Sequence, residues 1–97
     1  MLTGKQRRYL RSLAHHLSAI LHVGKLGLTA NVVEQVDLAL QAHELVKIAI
    51  LDTCEQDRHS VAAQLATDTT ANLVQVLGRT VVLYRPAKVT PQIVLPR

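Results

Sequence analysis

The sequence predicts one α/β domain with the element order α-β-α-β-α-β-β and a mixed four-stranded sheet. Three observations predict it. Apolar residues recur at helical spacing in three segments, a nearly continuous apolar run rich in β-branched residues from Leu45 to Leu51 lies between the second and third, and two short apolar runs are separated only by Gly78-Arg79. A chain of 97 residues, 48% hydrophobic, supports one packed core and is too short for two.

Thr3 and Gln6 have capping-box spacing, and Leu10, Leu13, Ala14 and Leu17 follow, which predicts a helix from Thr3 to His16. Ala19 to Val23, bounded by Ser18 and Gly24, suits a strand with Ile20 and His22 on one side and Ala19, Leu21 and Val23 on the other. Thr29 is the expected N-cap of a second helix with the stripe Val32, Val33, Val36, Ala39 and Leu40, ending near Ala42 or His43. Glu34 and Asp37 are expected on its solvent side. Leu45 to Leu51 reads as a central strand covered on much of both faces. Asp52 or Thr53 is the expected cap of a third helix that buries Val61, Ala62, Leu65 and Ala66 and is ended by Thr67 to Thr70.

Leu73 to Leu77 and Thr80 to Tyr84 then form a hairpin whose two-residue turn has glycine first, as type II′ requires. Strands joined through helices imply parallel neighbours with right-handed crossovers, and the hairpin supplies the antiparallel strand. Pro86, Pro91 and Pro96 all follow it, so the domain is expected to span residues 1–86 and residues 87–97 to form an extended tail.

Lys and Arg number 11 against 7 Asp and Glu, a formal charge of +4, which favours a polyanionic partner. Two Tyr with no Phe or Trp make a base-stacking platform hard to build, so recognition has to rest on backbone and shape. Cys54 is the only cysteine, which excludes an intramolecular disulfide and a CxxC-based zinc site and points to a reducing, cytoplasmic setting. Arg11, His15 and His16 interrupt the apolar residues near the N-terminus, so no secretory segment is expected. No apolar run approaches the roughly 18 residues of a membrane span. A soluble monomer with no membrane association is the expectation.

The most suggestive stretch is Val23-Gly24-Lys25-Leu26-Gly27-Leu28-Thr29, where a strand ends and a helix begins. Two glycines let the main chain turn tightly and approach a partner without a Cβ in the way. The next helix begins within a few residues, so its unpaired amides and dipole favour an anion there, and Lys25 adds a full charge. Lys5, Arg7, Arg8 and Arg11 lie in the first turns of the first helix, where they oppose its dipole, and no acid precedes Glu34. A phosphate-contacting surface accounts for them. Lys47, Arg79 and Arg85 are secondary candidates, each with a plain alternative as a strand-margin, turn or sheet-end residue.

Catalytic patterns are missing. His15, His16, His22, His43 and His59 are scattered without HExxH or Cys/His ligand spacing, and Cys54 and His59 have no evident third partner. There is no Walker A or dinucleotide-binding glycine pattern. No catalytic residue, metal, cofactor or small-molecule substrate is expected.

Gly4-Lys5-Gln6-Arg7-Arg8-Tyr9-Leu10-Arg11, the glycine loop, His43-Glu44-Leu45-Val46-Lys47-Ile48, and Val74 through Pro86 together resemble the CRM domain, the chloroplast RNA-splicing and ribosome-maturation module. The resemblance runs from residue 2 to residue 86 and is nearest to the stand-alone bacterial, YhbY-like members. It implies a fold similar to the C-terminal domain of bacterial translation initiation factor three. It also implies RNA binding through Gly24, Lys25, Leu26 and Gly27 with nearby basic residues, and association with ribosomal RNA in precursors of the large subunit. Leu26 stands where the family often has a polar residue, which leaves the main chain as the loop's principal contact. The competing reading is a protein-interaction module that docks on ribosomal proteins or assembly factors. A third is binding of a small phosphorylated ligand.

Overall fold

The computed structural model describes residues 2–97. The chain forms α1 (Gly4–Ala14), β1 (Leu21–Val23), α2 (Ala30–His43), β2 (Leu45–Ile50), α3 (Arg58–Thr69), β3 (Asn72–Leu77) and β4 (Thr80–Tyr84). The element order is the expected one, and the strands form a mixed sheet in the order β1-β2-β4-β3. β2 runs parallel to β1 and antiparallel to β4, which pairs with β3 through the hairpin. In the turn, φ is +56° at Gly78 and Arg79 stays out of the left-handed region, the type II′ pattern.

Local signals set the helix starts. The Thr3 hydroxyl accepts from the Gln6 amide and the Gln6 side chain accepts from the Thr3 amide, both at 3.1 Å, completing the capping box. Thr29 caps α2 by accepting from the Val32 amide at 3.2 Å. The cap of α3 falls elsewhere than expected: Asp57, not Asp52 or Thr53, accepts from the amides of His59 and Ser60 at 3.1 Å. Asp52 and Thr53 lie instead in a turn closed by the Cys54 amide on the Leu51 carbonyl at 3.0 Å. The chain must reverse off β2 before a helix can start. At the far end, the Thr67 and Thr69 hydroxyls donate back to Ala63 and Leu65 carbonyls, so the helix continues until Thr70, where φ is +56°.

Both sheet faces are covered. Val46, Ile48 and Ile50 of β2 pack with Val36 and Leu40 of α2 and with Val61 and Leu65 of α3. Leu45 points the other way and joins Leu10 and Ala14 of α1, Val74, Val82 and Tyr84. α1 therefore lies on one face, and α2 with α3 on the other. Each fully buried Leu, Ile or Val contributes roughly 1.5–3 kcal/mol, so these two clusters hold the layers together.

Two expectations need correction. Asp37 is not simply solvent-facing: its carboxylate meets the Arg85 guanidinium at 2.6 Å, and Arg85 also donates to the Thr69 carbonyl at 2.6 Å and to the Asp37 carbonyl at 3.0 Å. The residue joins α2, the end of α3 and the exit of β4. Residues 87–97 lack regular secondary structure and are docked against the rest of the fold. Ile93 and Leu95 pack on the α1-side cluster, and the Gln6 amide group donates to the Pro96 carbonyl at 3.1 Å.

The tail is anchored by Glu44. This residue follows α2 with φ at +65°, and it is only 2% exposed. Its carboxylate accepts from the main-chain amides of Ala87 and Gln92 at 2.7 Å and of Ile93 at 2.9 Å. Burial by itself would raise its pKa, but the three amide bonds prevail and hold the carboxyl below its ordinary value. Tyr84 shifts upward, first through burial and then through the Glu44 charge.

A group with a depressed folded-state pKa stabilises the fold fully above its unfolded value, about 4.3 for Glu, and that contribution is lost as pH falls through the lower folded value. Replacement Glu44→Gln should remove part of this anchor, lowering stability to urea by roughly 1–3 kcal/mol at neutral pH. The variant should also lose part of the wild type's acid sensitivity, and hydrogen exchange at Gln92 and Ile93 should accelerate.

Candidate nucleic-acid interface

The glycine loop connects β1 to α2 at one end of the sheet. Its tip is open, with Lys25 exposed and Leu26 85% exposed. The two glycines differ in role. Gly27 is buried with φ at +67°, and a Cβ there would lie 2.2 Å from the Gln56 side-chain oxygen. Gly24 has no such constraint, since the nearest atom to a Cβ would be in Leu51 at 3.6 Å. The Gly27 amide donates to the Gly24 carbonyl at 2.9 Å, and the Leu28 amide donates to Gln56 at 2.9 Å. Two of the loop's amides are therefore engaged internally. Those of Lys25 and Leu26, both exposed residues, find no acceptor among the described residues.

Gln56 was not legible as part of this loop, because it sits in a polar segment with no periodicity. The same segment brings exposed Asp52 and Glu55 to this end of the sheet, where Leu51 donates to the Val23 carbonyl at 2.8 Å. These carboxylates lower the positive potential below what Lys25 and a helix N-terminus would create alone.

The basic residues of α1 lie across the opposite face of the sheet from α2, and no hydrogen bond or ion pair joins α1 to the loop among the described residues. Arg8 and Arg11 are exposed. Lys5 is exposed as well and reaches the Arg97 carbonyl at 3.3 Å. Arg7 is half-buried, with its guanidinium on the Leu73 carbonyl and near that of Val74, where β3 carries a bulge. Part of its hydrogen-bonding capacity is thus structural.

The secondary candidates separate. Lys47 is half-buried in β2, and the alternation with Val46 and Ile48 turns it to the α1 side. Arg79 is exposed at the hairpin tip, at the loop's end of the sheet, and its carbonyl accepts from the Ile50 amide at 2.7 Å. Arg85 is the fold brace described above, with its guanidinium engaged by Asp37 and by the Thr69 carbonyl.

Charge is distributed unevenly between the faces. Every acid lies between Glu34 and Asp68, and apart from buried Glu44 all are on α2, α3 or the connection before α3. α1, the hairpin and the tail contain none. The α1 side is consequently cationic without exposed acidic side chains. Among the described residues no cluster of His, Cys, Asp and Glu could hold a metal ion, and no helix is long and apolar enough to cross a membrane.

This α/β fold, with a strand-to-helix glycine loop and a cationic helical face, is that of a known domain class. Residues 2–85 match the CRS1 / YhbY (CRM) domain, and the chain belongs to that family. It is 49% identical to "Probable RNA-binding protein YqeI" of Bacillus subtilis strain 168, over 99% of this chain and 100% of that one. It is 35% identical to a protein of Haemophilus influenzae named "RNA-binding protein", over 99% of this chain and 96% of the other. The solution structure of SAV1595 from Staphylococcus aureus superposes with a TM-score of 0.83 at 44% identity, covering 99% of this chain and 100% of that one.

The geometry predicts unequal glycines. Gly27→Ala should cost about 1–2 kcal/mol in urea unfolding, because a Cβ in the left-handed region is strained and Gln56 must leave Leu28. Gly24→Ala should change stability by less than about 0.5 kcal/mol.

Proposed function

We propose that this chain is a non-catalytic RNA-binding protein that grips the phosphate backbone of ribosomal RNA in precursors of the large ribosomal subunit. The observation that supports the reading best is the segregation of charge, which leaves Lys5, Arg8 and Arg11 on a face without exposed acidic side chains. The names of its relatives support RNA as the partner. The amides of Lys25 and Leu26, with the Lys25 ammonium, form a second contact at the glycine loop. Lys47 and Arg79 extend the footprint, and the unengaged part of Arg7 adds to the α1 side. Arg85 drops out of the set. A reducing cytoplasmic location fits the lone Cys54.

With four to six phosphates neutralised, log affinity should fall against log salt with a slope of about −3 to −5. Lys25→Ala should make that slope shallower by about 1 and leave the circular dichroism unchanged. Filter binding with protein-free ribosomal RNA measures both. A salt-independent affinity would discard the phosphate grip, and binding only when ribosomal proteins are present would favour the docking module instead.

A further inference from the structure

The α1 side also holds an apolar groove of about 490 Å³ between the end of α1 and the beginnings of β1 and β2. Its walls include Leu13, Leu17, Ile20 and Ile93, and its lining includes Lys47 and His43. Leu17 and Ile20 remain 40% and 50% exposed, so the fold has not used them to complete its core. Ile20 is nonetheless fixed in place, because its amide donates to the Lys47 carbonyl at 3.0 Å. The groove falls within the range of roughly 300–1,000 Å³ common for small-molecule clefts, with apolar walls and few polar groups.

Charge selects the occupant. Neither the segment through Val33 nor the chain after Asp68 contains an acid, and the nearby Glu44 carboxylate is buried and satisfied by three amides. An occupant suited to apolar walls and a lysine, with no exposed acidic side chain for it to meet, joins a flat, weakly polar body to an anion. A nucleotide has that construction. We propose that this groove receives an unstacked nucleobase of the bound RNA, with the adjoining phosphate at Lys47. The Lys47 stem lines the groove while its ammonium reaches the phosphate. The His43 imidazole can donate to or accept from the base edge.

The inference rests on the RNA-binding reading above and adds base contact to a grip on phosphates alone. It requires single-stranded or bulged RNA, since a base in a duplex is not available to a side groove.

The test compares a single-stranded RNA oligonucleotide with one of equal length made abasic throughout its central segment, so that the phosphates are the same. Full-length wild type should bind the abasic strand about tenfold more weakly, because the missing base forfeits its apolar contact with the groove. The double variant Leu17→Asn, Ile20→Asn, its folding checked by circular dichroism, should bind the intact strand as weakly as wild type binds the abasic one. It should be indifferent to base removal. Arg8→Ala should weaken both strands by the same factor. Equal wild-type binding of intact and abasic RNA would overturn base insertion and leave the phosphate grip standing; no binding of either would overturn the RNA reading itself. A double variant that keeps full base discrimination, but loses a ribosomal protein bound by the wild type, would assign the groove to a protein and overturn the proposal.

Discussion

Strand β2 has to be buried on both faces, and much of the remaining architecture answers that demand. Its alternation sends Val46, Ile48 and Ile50 toward α2 and α3 and Leu45 toward α1. One helix must therefore cross to the side away from the other two. Because the exposed acids reside with α2 and α3, the crossing separates the charges as well as the layers. A sheet with a helix of about 10 Å diameter on each side sets the outer surfaces more than a Debye length apart, about 8 Å at physiological ionic strength. Carboxylates on one side then do little to neutralise cations on the other. The packing of a hydrophobic strand thereby supports an electrostatic surface.

The glycine loop is less a flexible cradle than a braced turn. Gln56 reaches across to accept from Leu28 and occupies the space that a Cβ on Gly27 would need. That fixes the tip and its amides, which lowers the entropy to be lost when an anion binds. The two carboxylates nearby limit how strongly the loop alone can hold a polyanion. Under the proposed reading affinity is shared with the α1 side, a division that a strand or bulge able to pass around the short edge strand β1 would satisfy.

Where a short pattern determines a local geometry, the chain could be read directly. The capping box at Thr3 and Gln6, the cap at Thr29, the glycine-first hairpin turn and the apolar run of β2 each lead to the structure observed. The start of α3 was misplaced because Asp52, Thr53 and Asp57 are all competent caps, and the choice depends on how far the chain travels before turning back. Arg85 and Asp37 read as separate surface charges because their partnership spans 48 positions and exists only after the sheet closes. Glu44 stood in the sequence only as part of a motif, with no sign of its anchoring role. A buried glutamate at the end of a helix has meaning only once the tail returns to supply three amides. For the candidate site, the basic first helix and the loop could be singled out as candidates from residue type and spacing, whereas their placement relative to the sheet, and the groove at Leu17 and Ile20, required the layer arrangement.

The bulge in β3 bears on how this molecule behaves at high concentration. β3 is an outer strand, and an outer strand with unbonded carbonyls is a template onto which a foreign strand can add. Arg7 places its guanidinium on the Leu73 carbonyl next to that irregularity, while the opposite margin of the sheet, β1, is only three residues long. Both margins are thus blunted, one by a cationic plug and the other by brevity, which disfavours self-assembly by strand addition in a chain whose sheet is otherwise rich in valine and isoleucine.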